Sequence, residues 1–401
     1  WPGAALSASP YEVRYTPDAT RVLAASRQAI ETFEGASAEI SAAQLRKNNF
    51  TAARAPLPDD DEAQGYAVGS RWQWQGQEWI ASSVMPGSAQ WVPVSRAPFA
   101  SRAAAEAAPP ITTDQIEVAH AGRILRYVDS PTGTALNAGG KAWAPGDGDV
   151  SGLHFGMIAD GSADDTDAML SAQAWLESIP QRERPKLHLP AGKIKLMSPI
   201  VTAEDALRIA GAGQSAPFHG LSVYAGGTEI SYEGPAIDPL VGGVFTLGGA
   251  TQCRGMDLSD MTITGNDLAT AVWGEQAGGL TMRRITTDRA LWAVVLTGAN
   301  NNSCTFDNVR AYDPPTGGGG FDIRSRAHSS LFSKCMMENK TDGTRSPLVG
   351  MRFGAEFNSS ACLVQACNFD FYRVTDSMLS VVTDTKALTL LGNYFEVRND
   401  G

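Results

Sequence analysis

Apolar side chains in the second half of the chain fall in pairs two residues apart, and the pairs recur at a nearly constant interval. With Met261, Ile285, Val309, Cys335, Cys367 and Asn393 as anchors, the intervals are 24, 24, 26, 32 and 26 residues. Two positions on stand Ile263, Thr287, Ala311, Met337, Phe369 and Phe395, five of the six apolar. Alternation along a strand turns an anchor and its second neighbour to the same side. A period of this length with an inward apolar pair predicts stacked coils of a β-solenoid, with loops absorbing the variation.

Upstream the pattern changes several times. Residues 17–47 read as helix, with Leu23 and Ile30, and Phe33 and Ile40, each seven apart. Two prolines and four successive acids in 55–62 predict a linker. Trp72, Trp74 and Trp79 then alternate with polar residues around Gln75-Gly76, a hairpin pattern, and Trp91 closes a further strand. Residues 98–109 read as a short helix. Strands at 123–128 and 141–145 flank a turn-rich stretch, and 146–149 form a boundary. Beyond it an acid-rich segment, 160–167, leads into a helix with Met169, Ala172, Leu176 and Ile179 on one face, ended by Pro180. The division is therefore 1–54, an N-terminal helical segment; 55–97, a small Trp-rich β module; 98–148, a connector helix and small β module; and 149–401, the solenoid.

Composition narrows the function. Lys and Arg number 32 and Asp and Glu 43, a formal charge of −11, which disfavours nucleic acid as a partner. No apolar run is long enough for a membrane span, so membrane insertion is not expected. No leader is visible ahead of Trp1. The five cysteines, 253, 304, 335, 362 and 367, form no CxxC and are odd in number, so they read as buried thiols. The five histidines are scattered without ligand spacing, and neither a metal nor a cofactor is expected. The acids of 160–167 read as helix capping, since the Glu that ends an EF-hand loop is missing.

Two stretches, FGMIADGSADDTDAMLSA and LHLPAGKIKL, lie within 153–196. They resemble the opening of phage tailspike proteins with a pectate-lyase-like right-handed parallel β-helix. The segment from Phe99 to Trp143 is similar to tail-fibre and tailspike connectors. The resemblance implies a mainly β chain whose parallel β-helix begins under an N-terminal capping helix. It also implies a homotrimer on the virion that docks to other tail or baseplate proteins through its N-terminal region. Its target would be host surface polysaccharide, bound by the spike and, in the enzymatic members of such a family, also depolymerised by a hydrolase or lyase. The last coil shows no cap before Gly401, so further coils are expected beyond it, and whether the active site lies there is left open. Two alternatives remain open: a non-enzymatic adhesive tail protein, and a secreted bacterial polysaccharide lyase or hydrolase.

Candidate chemistry follows from the period. The residue after each inward pair faces outward: Thr264, Asp288, Tyr312, Glu338, Asp370 and Glu396. Three consecutive coils thus place an acid at one position, Glu338, Asp370 and Glu396. Coils stack about 4.8 Å apart, so neighbouring or alternate carboxyls bracket the separations used in glycoside hydrolysis. The competing reading is a solvated ladder that caps turns. Trp72, Trp74 and Trp79 are candidate sugar-stacking faces; the competing reading makes them the core of a module with little else to bury.

Overall fold

The computed structural model describes residues 48–49, 51–68, 70–74, 77–93, 98–108, 111, 114–130, 134–146, 150–214, 226–324, 327–339, 345–354, 361–371, 374, 376–381 and 387–397. The expected helix at 17–47 lies outside them. The chain divides into two compact units between Ala97 and Pro98.

In the first unit, β1 (Arg71–Trp74), β2 (Gln77–Ser83) and β3 (Gln90–Pro93) form an antiparallel sheet in that order. Tyr66, Trp72 and Trp91 meet at its centre, with ring centroids 5.2–5.6 Å apart.

The second unit opens with α1 (Arg102–Glu106), whose N-cap Ser101 accepts from the Ala104 amide. Four antiparallel strands follow: β4 (Gln115–His120), β5 (Arg123–Asp129), β6 (Leu136–Ala138) and β7 (Lys141–Pro145), in the order β4-β5-β7-β6. Ala121 and Gly122 both take positive φ, which makes the tight β4–β5 turn. Ala105, Tyr127 and Trp143 belong to one apolar core that runs without a break to Phe371. The connector is thus packed on the solenoid.

The remainder is a right-handed parallel β-helix of three faces. Face A runs from Leu187–His188 through Arg208–Ala210 to Leu331–Ser333, Leu363–Gln365 and Thr389–Leu391. Face B runs from Asp160–Asp164, Gly192–Leu196 and Thr228–Tyr232 to Met336–Glu338, Asn368–Phe371 and Tyr394–Val397. Between them the long strands Asp257–Thr264, Thr281–Asp288 and Thr305–Tyr312 serve both faces. Face C is a seven-stranded sheet from Ile200–Thr202 to Ser377–Val381.

The bend between faces A and B has one cause repeated six times. Asp260, Arg284, Asn308, Lys334, Ala366 and Gly392 all adopt left-handed backbone, φ between 51° and 62°. Five of these are not glycine, and such a conformation is uncommon for them; stacking of the same corner on every coil holds it. The inward column Met261, Ile285, Val309, Cys335 and Cys367 is buried throughout. Beside it Phe306 and Phe332 stack, and on the last two coils so do Phe369 and Phe395. All five cysteines are buried and outside any disulfide, and burial pushes the Cys253 and Cys304 thiols up to about 12.

The cap is α2 (Thr166–Ser178), which buries Met169, Ala172 and Leu176 against the first coil. The acids before it bond locally. Asp165 accepts from the Ile158 and Ala159 amides at 2.8 and 3.1 Å, Asp164 from the Thr166 amide and hydroxyl, and Asp160 from Ser162 and Ala163. The buried Arg184 guanidinium donates to the carbonyls of Glu177 and Ile179, satisfying the other end of the helix. Gly192, φ 120°, has no room for a side chain: a Cβ there would sit 2.2 Å from the Ala159 carbonyl oxygen.

Candidate functional site

The outward column on face B is in register across six strands. Thr264 pairs with Asp288, Asp288 with Tyr312, Tyr312 with Glu338, Glu338 with Asp370 and Asp370 with Glu396. The structure therefore brings the three sequence-derived acids together on adjacent coils. A second outward column stands two residues earlier: Thr262, Thr286, Arg310, Met336, Asn368 and Tyr394.

The three acids differ in setting. Glu338 is 5% exposed, and its carboxylate is closed on the Arg310 guanidinium from the preceding coil. Arg310 also lies over the Tyr312 ring, 5.1 Å from its centroid. Burial pulls the Arg310 pKa below its ordinary value. Asp370 and Glu396 are half-buried. The Tyr394 hydroxyl donates to Glu396 Oε2 at 2.8 Å, and Tyr394 itself is exposed. Of the three sequence-derived acids, Asp370 and Glu396 are thus the accessible ones, while Glu338 is committed to a buried ion pair; Asp288, further up the column, is also half-buried and lies 3.8 Å from Arg289. This differs from a uniform solvated ladder because Arg310 reaches diagonally onto the next coil.

The corner between faces B and C is braced by charge. Arg345 donates to both carboxylate oxygens of Asp267 at 2.5 and 3.0 Å and to the Asp313 carbonyl at 3.2 Å. Its own carbonyl accepts from Asn339 Nδ2 at 3.0 Å, and the Asp313 amide donates to the Glu338 carbonyl at 2.9 Å. The residues that follow Tyr312 and Glu338 are fixed in this way. Nearer the cap, Lys195 and Lys193 pair with Glu233 and hold its carboxyl below the usual range.

The tryptophan candidates are placed differently from a binding platform. Trp72 and Trp79 are 3% and 7% exposed, and Trp72 Nε1 donates to the Arg54 carbonyl. Their faces are taken up by the module's own core, which corrects the sugar-stacking expectation for these two. The side chain of Trp74 lies outside the described residues. Among the described residues no group of His, Cys, Asp and Glu is arranged to hold a metal ion, and no helix is long and apolar enough to cross a membrane.

Arg310, Asn368 and Tyr394 escaped the sequence reading. The signal was present: they occupy the outward position between each inward pair, which alternation also exposes.

No protein-family model matches the chain, and no curated protein matches it. Solved structures do. The enzymatically active domain of tailspike protein 4 of bacteriophage CBA120 is 11% identical with a TM-score of 0.43, covering 82% of this chain and 57% of that one. The Pantoea stewartii glycan biofilm modifying enzyme WceF, described as having a tailspike-like parallel β-helix fold, is 14% identical with a TM-score of 0.38, covering 81% and 53%. The ORF18 protein of Geobacillus virus E2 is 15% identical with a TM-score of 0.36, covering 67% and 66%. The chain thus spans just over half the length of the first two. At such identities these likenesses assign no role to any residue here.

Proposed function

We propose that this chain is a phage tail spike that binds a host surface polysaccharide along face B and hydrolyses it with Asp370 and Glu396. The observation that carries the reading is the pairing of these two half-buried carboxylates on adjacent coils of one outward face. Strand spacing puts their backbones about 4.8 Å apart, near the separation used by retaining glycosidases. Tyr394 orients Glu396 and suits it to act as nucleophile at the anomeric carbon. Asp370 protonates the departing oxygen, then draws a proton from the water that releases the product. Glu338 and Arg310 act behind the pair, as a fixed ion pair that shapes the strip.

The motif of residues 153–196 supports the tail-spike part of this reading. A homotrimer attached to the tail by its N-terminal region is part of the same proposal; sedimentation of the full-length protein as three chains tests it. The test of the activity is viscosity. Purified host surface polysaccharide incubated with the protein should thin progressively as chains are cut. A polymer that is bound but keeps its viscosity favours the adhesive reading, in which the acids only order the coil.

A further inference from the structure

Asn368 stands two residues before Asp370 on the same outward edge, between Met336 and Tyr394 in the neighbouring coils. Its Oδ1 is buried and has no hydrogen-bond partner. A buried unpaired acceptor is costly, because it gives up its bond to water and gains none in return. Of the other such atoms, Thr270 Oγ1 and Trp273 Nε1 do not lie on the outward edge of face B, and Arg310 Nε, which does, belongs to the guanidinium already closed on Glu338. Among the described residues with such an atom, Asn368 alone shares a strand with Asp370 and a ladder with the residue that orients Glu396.

We propose that Asn368 is a glycan-recognition residue, its side-chain amide reading two neighbouring hydroxyls of the sugar held between Asp370 and Glu396. A carboxamide accepts from one hydroxyl and donates to the next, which suits a vicinal pair. A site built to pair with a hydroxyl also rejects an analogue lacking it, because its own polar group is then left unmatched. The substrate class is therefore a polysaccharide whose cleaved residue carries two free adjacent hydroxyls. This inference rests on the proposed glycan-binding role of face B.

The test uses Asn368→Leu, close in shape and without polar atoms, and Asn368→Ala. Melting temperature and binding to a printed array of oligosaccharides are measured for each, beside wild type. A recognition role predicts that Asn368→Leu melts at the wild-type temperature or higher, since an orphaned acceptor is removed, while affinity for the bound oligosaccharides falls at least tenfold. The loss should be confined to oligosaccharides that retain the vicinal pair. A variant that melts several degrees lower and binds as wild type makes the amide structural and overturns the inference alone. Wild-type protein that binds no oligosaccharide overturns both this inference and the reading beneath it.

Discussion

Phe332 lies directly over Phe306 from the preceding coil, with ring centroids 4.8 Å apart and planes 16° from parallel. Phe321 and Phe353 meet this pair edge-on from face C. The stack ties faces A and C through the middle of the solenoid. Phe332→Ala should cost about 4 kcal/mol, the range for a fully buried ring. Denaturant unfolding of the second unit checks this; a loss below 1 kcal/mol would mean that the coil collapses into the space.

Glu338 and Arg310 form a buried pair, so removing one partner strands the other. Glu338→Gln should destabilise the fold by about 3 kcal/mol. Replacing both with residues of similar shape, Glu338→Met with Arg310→Met, should recover most of that loss. A double variant as unstable as the single one would show that the pair is not the unit.

Acid should loosen the coil through identified carboxyls. The Arg284 guanidinium holds the Asp260 carboxyl below its ordinary value, and bonds from Thr166 do the same for Asp164. A group depressed in the folded state contributes stability above its unfolded pKa and loses it as pH falls through the folded one. Asp165 runs the other way: burial raises it, so its contribution is complete at low pH and is lost as pH rises through its folded value. Melting temperature should therefore fall on acidification below the ordinary carboxylate range. Asp260→Asn should lessen that fall while lowering stability at neutral pH. An unchanged pH profile in this variant would remove Asp260 from the account.

The turn at Gly192 tests the cap. Gly192→Ala meets both a φ of 120° and the Ala159 carbonyl, and should cost at least about 2 kcal/mol. Limited proteolysis should then cut first around α2. A variant as resistant as wild type would show that the turn relaxes freely.

The register of face B was legible because inward pairs recur at 24 to 32 residues, and a slip of one residue would have buried the acids. The cap was legible because Asp160, Asp164 and Asp165 bond to backbone no more than seven positions away. The corner between faces A and B was not. Arg284, Lys334 and Ala366 carry no turn signature, and only stacking on like corners sets their φ. Nor was the setting of Glu338, which depends on an arginine 28 positions earlier in sequence and one coil away in space. Trp72 and Trp79 illustrate the reverse: alternation located their strands but did not show that both are buried in the module's own core.

The central claim is that Asp370 and Glu396 cut a glycan on face B. The most direct measurement is release of reducing ends from purified host surface polysaccharide by wild type, Asp370→Asn and Glu396→Gln, with binding of the same polymer followed in parallel. The account predicts release by wild type, a fall of at least about a hundredfold in each variant, and binding retained by both. Release at the wild-type rate from either variant would contradict it.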